Sequence, residues 1–423
     1  MSFEEWEKTT ADDFCFKVTD GTHDSPKKVE GGKYLVTSRH LKGYELDFQN
    51  AYLISNEDFA KINERSKVEQ WDILFSMIGT VGEVYLERNP EINYAIKNVG
   101  LFKFNGDELK AKWFYYFLKS NLAQEYIYSN LRGSTQQYLT LGALRKFPVL
   151  YPKKQQEMKK IINILDSIDG KIYLNNQINK DLEEMAQAIF KSWFVDFEPF
   201  QDGEFVESEL GMIPKGWEVI QFKDIATIST KSVKPQEFPE ELFEHYSIPS
   251  FDSKRFPSME KGCEIKSNKY VVTSDTILVS KLNPSTKRVW KPLCLTNNAV
   301  SSTEFINYLA KDKEFTYFVF SLVNSDAFNE FLQQHATGST NSRQRVSPKQ
   351  TLEFKLPFPR NLDIVREFIK IVQPIYEKIS LNLIESNNLK TLRDTLLPKL
   401  MSGEIRVPLS EEGSSEDDEL LRV

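Results

Sequence analysis

The sequence lacks the features that mark membrane-spanning and secreted proteins. It has no run of about 18 or more apolar residues, the length at which a membrane helix is predicted. Residues 1–7 are acidic and lack the apolar core of a signal peptide, so export is not expected. Cys15, Cys263 and Cys294 are scattered, which favours reduced thiols over a disulfide framework. We therefore expect a cytoplasmic protein without a membrane segment.

Recognisable catalytic motifs are also missing. There is no Gly-x-x-x-x-Gly-Lys-Ser/Thr phosphate loop and no Asn-Pro-Pro-Tyr or Asp-Pro-Pro-Tyr motif of an amino-methyltransferase. The four histidines lie far apart, and none has the His-Glu-x-x-His spacing of a zinc site. Residues 79–82 are explained by a tight turn between strands. Alternating strands explain the Glu-x-Lys spacing at residues 264–266 and 353–355. We predict no catalytic residue, no metal site and no cofactor in this chain.

The charge balance alone does not favour a nucleic-acid partner. Formal net charge is −7, but residues 411–422 contribute six acids and one base, which leaves about −2 for the rest of the chain. A nearly neutral protein binds DNA only through local basic patches. Because of its acidic composition, the tail at residues 404–423 is expected to be disordered.

What the sequence does contain is an internal repeat. Ile168, Lys171, Ile172, Leu174, Asn175 and Leu182 recur as Ile375, Lys378, Ile379, Leu381, Asn382 and Leu389, each 207 positions later. Upstream, Gly-Ser-Thr at residues 133–135 recurs at residues 338–340. A duplicated unit implies two equivalent tasks performed by one molecule, such as contact with two half-sites on DNA.

The repeat divides the chain into two parallel sets of segments. Residues 1–153 and 217–360 mix short β-like runs with helical stretches and turn residues, which predicts two α+β domains. Residues 154–196 and 361–403 have helical periodicity, and residues 197–216 form a linker. Each helical segment has about 40 residues, which corresponds to a rod of roughly 60 Å.

The two long helices carry apolar seams with a polar interruption at the same level. The first predicted seam contains Met158, Ile161, Leu165, Ile168, Ile172, Leu182, Met185 and Ile189. The second contains Val365, Phe368, Val372, Ile375, Ile379, Leu389, Leu392 and Leu396. Asn175 and Asn179 interrupt the first seam, and Asn382 and Ser386 occupy the equivalent places in the second. Such polar pairs fix register in a coiled coil, in either parallel or antiparallel pairing. The alternative is two separate amphipathic helices that each cover a sheet.

Polar loops at equivalent places in both domains are the candidate binding residues. Arg, Asn and Gln side chains make bidentate contacts to base edges, whereas Lys, Ser and Thr hold phosphates. The first domain offers Arg132, Ser134, Thr135, Gln136, Gln137, Tyr138, Arg145 and Lys146. The second offers Lys281, Asn283, Lys287, Arg288, Ser339, Thr340, Asn341, Arg343, Gln344 and Arg345. The competing interpretation is that these loops are ordinary solvated surface.

Several of these segments together resemble the specificity subunits of type I restriction–modification systems. The resemblance covers residues 1 to about 407 and rests on order, spacing and duplication. The segments are residues 20–26 (Asp-Gly-Thr-His-Asp-Ser-Pro), 72–82, 174–177, 190–194, 196–199, 210–217 (Leu-Gly-Met-Ile-Pro-Lys-Gly-Trp), 277–284, 288–290 and 392–404.

The resemblance implies a fold and a function. It implies two α+β target-recognition domains separated by two long helices packed as an antiparallel coiled coil. Each domain would read one half of a split, asymmetric site on double-stranded DNA, and the helices would set the gap between the halves. Two modification subunits using S-adenosylmethionine and two ATP- and Mg-dependent restriction subunits would assemble with this non-catalytic chain as a defence against phage.

Two further hypotheses remain open, and one feature of the second helix fits less well. The chain could be a coiled-coil scaffold that binds protein or peptide through its two α+β domains, or an enzyme with an unrecognised site. Pro398 lies near the end of the second helix, where a proline is expected to bend or stop it.

Overall fold

The computed structural model describes residues 6–338 and 344–408. The chain forms two compact units: the first takes residues up to Tyr173 together with those from Asn388 onward, and the second takes Leu174–Asn387. Along the described ranges, no helix is both long and apolar enough to cross a membrane.

An α+β domain makes up most of the first unit. Its strands are β1 (Trp6–Thr10), β2 (Lys17–Asp20), β3 (Lys33–Val36), β4 (Leu41–Lys42), β5 (Glu45–Leu46), β6 (Leu53–Ile54), β7 (Ile73–Ser76), β8 (Val84–Leu86), β9 (Tyr94–Ile96), β10 (Val99–Lys103) and β11 (Pro148–Pro152). Its helices are α1 (Ala11–Phe14), α2 (Asn56–Ser66), α3 (Glu108–Leu118), α4 (Asn121–Asn130) and α5 (Leu141–Arg145). An antiparallel sheet has the order β2-β10-β7-β8, and β3 pairs with β6 and, in parallel, with β9.

The aromatic run of α3 forms the centre of this domain. Asp107 accepts a hydrogen bond from the Lys110 N–H and so caps the helix, and every residue from Trp113 to Leu118 is buried. The Trp113 indole donates to the Leu150 carbonyl at 3.0 Å, which ties α3 to β11. Since β11 pairs with β1, the two ends of the domain are held together immediately before the first long helix, α6 (Gln155–Phe194).

The second α+β domain has the same plan. Its strands are β12 (Phe205–Ser208), β13 (Gly211–Pro214), β14 (Trp217–Gln221), β15 (Ala226–Ser229), β16 (Ser232–Val233), β17 (Leu242–Tyr246), β18 (Ser258–Lys261), β19 (Lys269–Val271), β20 (Ile277–Ser280), β21 (Val289–Trp290), β22 (Ala299–Ser301), β23 (Phe305–Ala310) and β24 (Lys355–Pro359). Its helices are α7 (Phe222–Ile225), α8 (Ile248–Lys254), α9 (Thr316–Val323), α10 (Asp326–Gln334) and α11 (Pro348–Thr351), and the second long helix, α12 (Asp363–Met401), follows.

Equivalent sheets confirm the duplication. The order β15-β23-β20-β21 repeats β2-β10-β7-β8, and the pair β14–β24 repeats β1–β11. The parallel pair β17–β22 repeats β3–β9, within a five-stranded sheet of order β16-β19-β22-β17-β18. The predicted α+β class and duplicated plan are therefore confirmed.

The long helices run antiparallel in each unit. In the first unit, Arg406 donates to Glu157 at 2.7 Å and Arg393 donates to Asp169 at 2.8 Å. Residue numbers therefore rise along α6 as they fall along the C-terminal segment that it contacts. In the second unit Asn175 lies 3.3 Å from Ser386 and Gln187 lies 3.4 Å from Tyr376, so the same antiparallel order holds. Antiparallel pairing, implied by the resemblance, is confirmed.

Two predicted seam positions are wrong. Met185 and Leu392, which are equivalent in the repeat, are 50% and 46% exposed. Buried positions of α6 after Asn179 are Ala186, Phe190 and Phe194, and a shift of one residue rotates a side chain by about 100° around the helix, which turns Met185 outward.

Some local predictions were also tested. The predicted turn at residues 79–82 is confirmed, because it connects β7 and β8 and the Gly82 N–H donates to the Ser76 carbonyl at 3.1 Å. The alternating strand predicted for residues 264–266 is wrong, since Glu264 ends a 3₁₀ turn; that for residues 353–355 is wrong except at Lys355, where β24 begins. Helix α12 continues past Pro398 to Met401, so the expected bend stays a prediction.

Candidate nucleic-acid interface

An exposed loop in the first domain is closed by its own backbone. Arg132 and Tyr138 exchange two backbone hydrogen bonds of 2.9 Å, and every residue from 132 to 138 is exposed. Gly133 has φ +89°, and a Cβ there would lie 2.3 Å from the Gln136 carbonyl oxygen, so only glycine fits. We call residues 132–138 the first loop.

The first loop is fixed to the turn that follows β7. The Leu139 N–H donates to the Met77 carbonyl at 2.9 Å, and the Gly79 N–H donates to the Gln137 carbonyl at 3.2 Å. Gly79 has φ +82°, the left-handed conformation that brings its N–H toward the loop. The loop backbone is thus held at both ends while its side chains face solvent.

The second domain repeats this construction. Thr337 and Arg345 exchange backbone hydrogen bonds of 2.9 and 2.8 Å, the Val346 N–H donates to Lys281, and the Asn283 N–H donates to Gln344 at 2.8 Å. Asn283 takes the place of Gly79 and also has positive φ, +51°. We call residues 337–345 the second loop. Its predicted contacts Ser339, Thr340, Asn341 and Arg343 lie outside the described residues.

Three of the predicted cations of the second domain form ion pairs with acidic side chains. Arg288 donates to both carboxylate oxygens of Asp252 at 2.7 and 2.9 Å, and its side chain is only 11% exposed. Arg345 makes a similar two-nitrogen contact with Glu304 at 3.1 and 3.2 Å, and these hydrogen bonds raise the pKa of Arg345. Lys287 lies 3.4 Å from Asp326.

The predicted cations of the first domain have fewer acidic partners. Arg145 donates to the Val18 carbonyl at 3.3 Å and lies 3.9 Å from Asp12. Arg132 and Lys146 are exposed and, within the described ranges, form no ion pair. The same holds for the half-buried Lys281 of the second domain.

The four predicted register residues lie together in the second unit. Asn382 donates to Asn179 at 2.8 Å, and Asn175 donates to Ser386 at 3.3 Å and to Glu385 at 2.8 Å. In the 207-residue repeat, Asn179 is equivalent to Ser386 and Asn382 is equivalent to Asn175. The pair Asn179–Asn382 is therefore equivalent to the pair Asn175–Ser386, as a local two-fold relation requires. All four residues are buried and hydrogen-bond across the two helices, while their role in setting the register stays a prediction.

Charged residues attach the first domain to the helices. Asp169, 4% exposed, lies 2.8 Å from Arg393 of α12 and 3.5 Å from Lys119 of the domain. Lys112 lies 2.6 Å from Asp166, which also accepts a hydrogen bond of 2.9 Å from the Tyr116 hydroxyl. Burial, followed by the charges of Asp169 and Asp166, raises the pKa of Tyr116, so its hydroxyl remains a donor.

Sequence reasoning missed the acids that hold the cations. Asp252 and Glu304 lie 36 and 41 residues from their arginines, and no local spacing signals such pairs. It also missed Tyr44, Arg88 and Tyr173, which meet at the surface of α6. In the part of the chain that the structure describes, no group of three or more His, Cys, Asp or Glu could hold a metal ion.

Comparisons with known proteins agree with this architecture. Residues 3–184 match the family model of the type I restriction modification DNA specificity domain. The chain is 29% identical over 400 residues to the specificity subunit of the type I restriction enzyme MjaIX of Methanocaldococcus jannaschii, covering 88% of this chain and 86% of that protein. It is 25% identical over 424 residues to the HindI specificity subunit of Haemophilus influenzae, covering 83% and 90%.

A solved structure shares the fold. The S subunit of the type I restriction–modification system of M. genitalium superposes with a TM-score of 0.57 at 18% identity, covering 96% of this chain and 97% of that one. Residues 3–184 thus match the specificity domain of type I restriction–modification systems, and the chain is similar over most of its length to specificity subunits of such systems.

Proposed function

We propose that this chain reads the two halves of a split, asymmetric site on double-stranded DNA, the first loop at one half and the second loop at the other. The observation that carries this proposal is the shared backbone support. Both loops are tied to the turn after an equivalent strand by equivalent hydrogen bonds, yet they present different side chains. A protein that binds two different DNA sequences can use one backbone support for both loops, provided that the side chains of the loops differ.

The chemistry of the loops suits base and phosphate contacts. Gln136, Gln137 and Gln344 carry amides that match the donor and acceptor edge of adenine, and Arg132 and Lys281 are cations without an acidic partner in the described residues. The seven predicted positions Ser134, Thr135, Tyr138, Arg145, Lys146, Asn283 and Lys287 would then contact phosphates or support the loops. Because Arg288 is held by Asp252, we assign it support of the turn.

The helices are proposed to carry two modification subunits. Leu174 and Leu381, equivalent in the repeat, are 52% and 61% exposed, and the equivalent pair Met185 and Leu392 is similarly exposed. Within each helix the two apolar residues are eleven positions apart, which is about three turns and places them on one face. An exposed apolar strip that occurs twice fits two copies of one partner.

The chemical steps are assigned to the partners. The modification subunits would bind S-adenosylmethionine and methylate adenine, and restriction subunits would use ATP and Mg²⁺. The near-neutral charge of this chain outside its acidic tail fits a complex in which partner subunits supply much of the positive surface around DNA. Assembly on chromosomal and phage DNA would take place in the cytoplasm.

Mapping of methylated adenines tests this function. Cells that express the modification subunit with and without this chain would be compared by genome-wide methylation sequencing. We expect a bipartite motif that appears only when the chain is present. The absence of any chain-dependent motif would contradict the proposal.

Binding measurements distinguish DNA from a peptide partner. The logarithm of the DNA affinity of the assembled complex should fall linearly with the logarithm of salt concentration, with a slope that reports the number of phosphate contacts. Salt-independent binding, or no binding of DNA, would favour the alternative of a scaffold that recognises protein or peptide.

A further inference from the structure

An aromatic contact joins the first recognition domain to α6. Tyr44 lies at the tip of the β4–β5 hairpin, next to Gly43 with φ +68°. Its ring stacks on Tyr173 of α6, with centroids 4.8 Å apart and planes inclined by 29°. Tyr173 is the one tyrosine among the forty residues of α6. Helical propensity does not favour tyrosine, so helix formation alone does not explain its presence.

A guanidinium group holds this stack from the domain side. The Arg88 guanidinium carbon lies 3.8 Å from the Tyr44 ring centroid and 5.4 Å from that of Tyr115. Its Nη1 donates to the Leu86 carbonyl at 3.2 Å, while its buried Nη2 makes no hydrogen bond within the described residues. A guanidinium that forgoes a hydrogen bond and lies against two tyrosine rings is held by those rings.

The equivalent position in the second unit has no such contact. Residue 380, which corresponds to Tyr173, is serine, and it lines a cavity of about 60 Å³ together with Tyr376, Phe320, Trp290 and Lys291. There the domain contacts α6 through Arg255, which donates to both oxygens of Glu183 at 2.8 and 2.9 Å, and through Phe318, whose ring centroid lies 4.9 Å from that of Phe194. Both side chains of the ion pair are more than a third exposed, so solvent weakens that pair. The stacked tyrosines of this unit, Tyr317 and Tyr376, lie on α9 and α12, with centroids 6.0 Å apart.

We propose that Tyr173, stacked on the Tyr44 ring that Arg88 contacts, is a positioning residue that fixes the orientation of the first recognition domain on α6 and so restricts the spacer length between the two half-sites. This inference rests on the proposed function of reading a split site. A change of one base pair moves a half-site by about 3.4 Å and rotates it by about 35°. A domain held rigidly on its helix cannot follow that displacement, whereas a domain held loosely can.

Tyr173→Ser tests the proposal, because serine is the residue that the second helix carries at this position. The substrates are duplexes with the mapped half-sites and the spacer lengthened or shortened by one base pair. We expect methylation of these duplexes, relative to the mapped site, to rise by about 2- to 13-fold, the range that corresponds to one aromatic pair. Base preference within each half-site should not change.

Three variants make the result specific. Tyr173→Phe keeps the ring and should behave as the wild type. Arg88→Lys keeps the charge but loses the planar contact, and should relax the spacer even if Tyr173→Ser does not fold. Phe16→Ser removes an aromatic residue that is 67% exposed, and should leave spacer preference unchanged.

The possible failures are distinguishable. Unchanged spacer preference in folded Tyr173→Ser and Arg88→Lys would overturn the positioning role, as would relaxation in Tyr173→Phe equal to that in Tyr173→Ser. If the wild-type complex methylates no bipartite site at all, the proposed function itself fails.

Discussion

The two recognition domains share a backbone frame but differ in how their charged and aromatic side chains are used. In the first domain, buried charges and stacked tyrosines attach the domain to the helices, while Arg132 in the loop is unpaired within the described residues. In the second domain, Arg345 and Arg288 are paired with acids, and the domain contacts the helices through the aromatic rings of α9 and a partly exposed ion pair. The two domains therefore share a frame but differ in the pairing of their arginines and in the side chains that attach them to the helices.

The loops differ in length as well as in chemistry. Five residues separate the closing pair Arg132 and Tyr138, whereas seven separate Thr337 and Arg345. A loop closed by the same hydrogen bonds can accept two extra residues because only its ends are fixed, and exposed loop tips tolerate insertions. Sequence change inside a closed loop can therefore alter the side chains that the loop presents without disturbing the domain.

The largest expected effect concerns the charged attachment of the first domain. Asp169→Asn leaves Arg393 and Lys119 without their shared carboxylate, and loss of one partner from a buried ion pair costs about 3–5 kcal/mol. Urea denaturation of the full chain should show this loss. Tyr376→Phe, at the equivalent position in the second unit, removes only hydrogen bonds to Ser321 and Gln187, and should cost about 1 kcal/mol. Equal losses in the two variants would show that the attachments do not differ.

The second effect concerns the two loop arginines. Arg132→Ala should weaken binding of one half-site by about 5- to 150-fold, the range of a good base or phosphate contact. Arg345→Ala should cost less, because Arg345 must first leave Glu304 to contact DNA. Gel-shift competition with each half-site scrambled in turn measures both.

Glu304→Gln sharpens this comparison. It releases Arg345 without removing it, so affinity for the half-site read by the second loop should rise. Loss of affinity in this variant, or equal loss at both half-sites in either alanine variant, would contradict the assignment of one loop to one half-site.

The smallest effect is a difference in acid sensitivity. Burial lowers the pKa of His40 below its usual 6.5, and its Nδ1 accepts the Thr37 N–H at 2.9 Å, so the folded state disfavours the protonated ring. As pH falls through 6.5, the unfolded chain gains a proton that the folded chain does not, and stability is lost. His245 has a pKa lowered by burial as well, but its Nδ1 faces Glu260 at 3.1 Å, which favours the charged ring.

Thermal unfolding between pH 7.5 and about 5.5 tests this difference, since the window brackets the ordinary histidine pKa. The midpoint temperature of unfolding should decline as the pH is lowered. His40→Gln should reduce this decline more than His245→Gln does. A steeper contribution from His245 would mean that the carboxylate of Glu260 does not offset burial.

The register of the helices could be read from the sequence because it depends on a repeat. Four polar residues at matched places in two apolar seams need hydrogen-bond partners on the facing helix when they are buried, and Asn179 with Asn382 meets this need. The outward rotation of Met185 and Leu392 could not be read in this way. Apolar residues next to each other at 185 and 186 both fit a helical period, and only packing shows which one is buried.

In the candidate site, too, some features could be predicted from the sequence and others depend on the fold. Gly133, the amides of Gln136 and Gln137, and the basic turn at residues 281–288 stand out by residue type. The pairing of Arg288 with Asp252, and of Arg345 with Glu304, depends on which strands lie side by side. A cation identified from composition is therefore a contact for DNA only if the fold does not already supply its counter-ion.

The sequence by itself determined that this chain has two equivalent halves, two long helices and loops of variable content, because periodicity and repetition are properties of the chain order. The tertiary structure decided which side chains are available. It buried Asn175, paired Arg288, left Arg132 exposed and stacked Tyr44 on Tyr173, because burial and ion pairing depend on residues that are distant in sequence and adjacent in space.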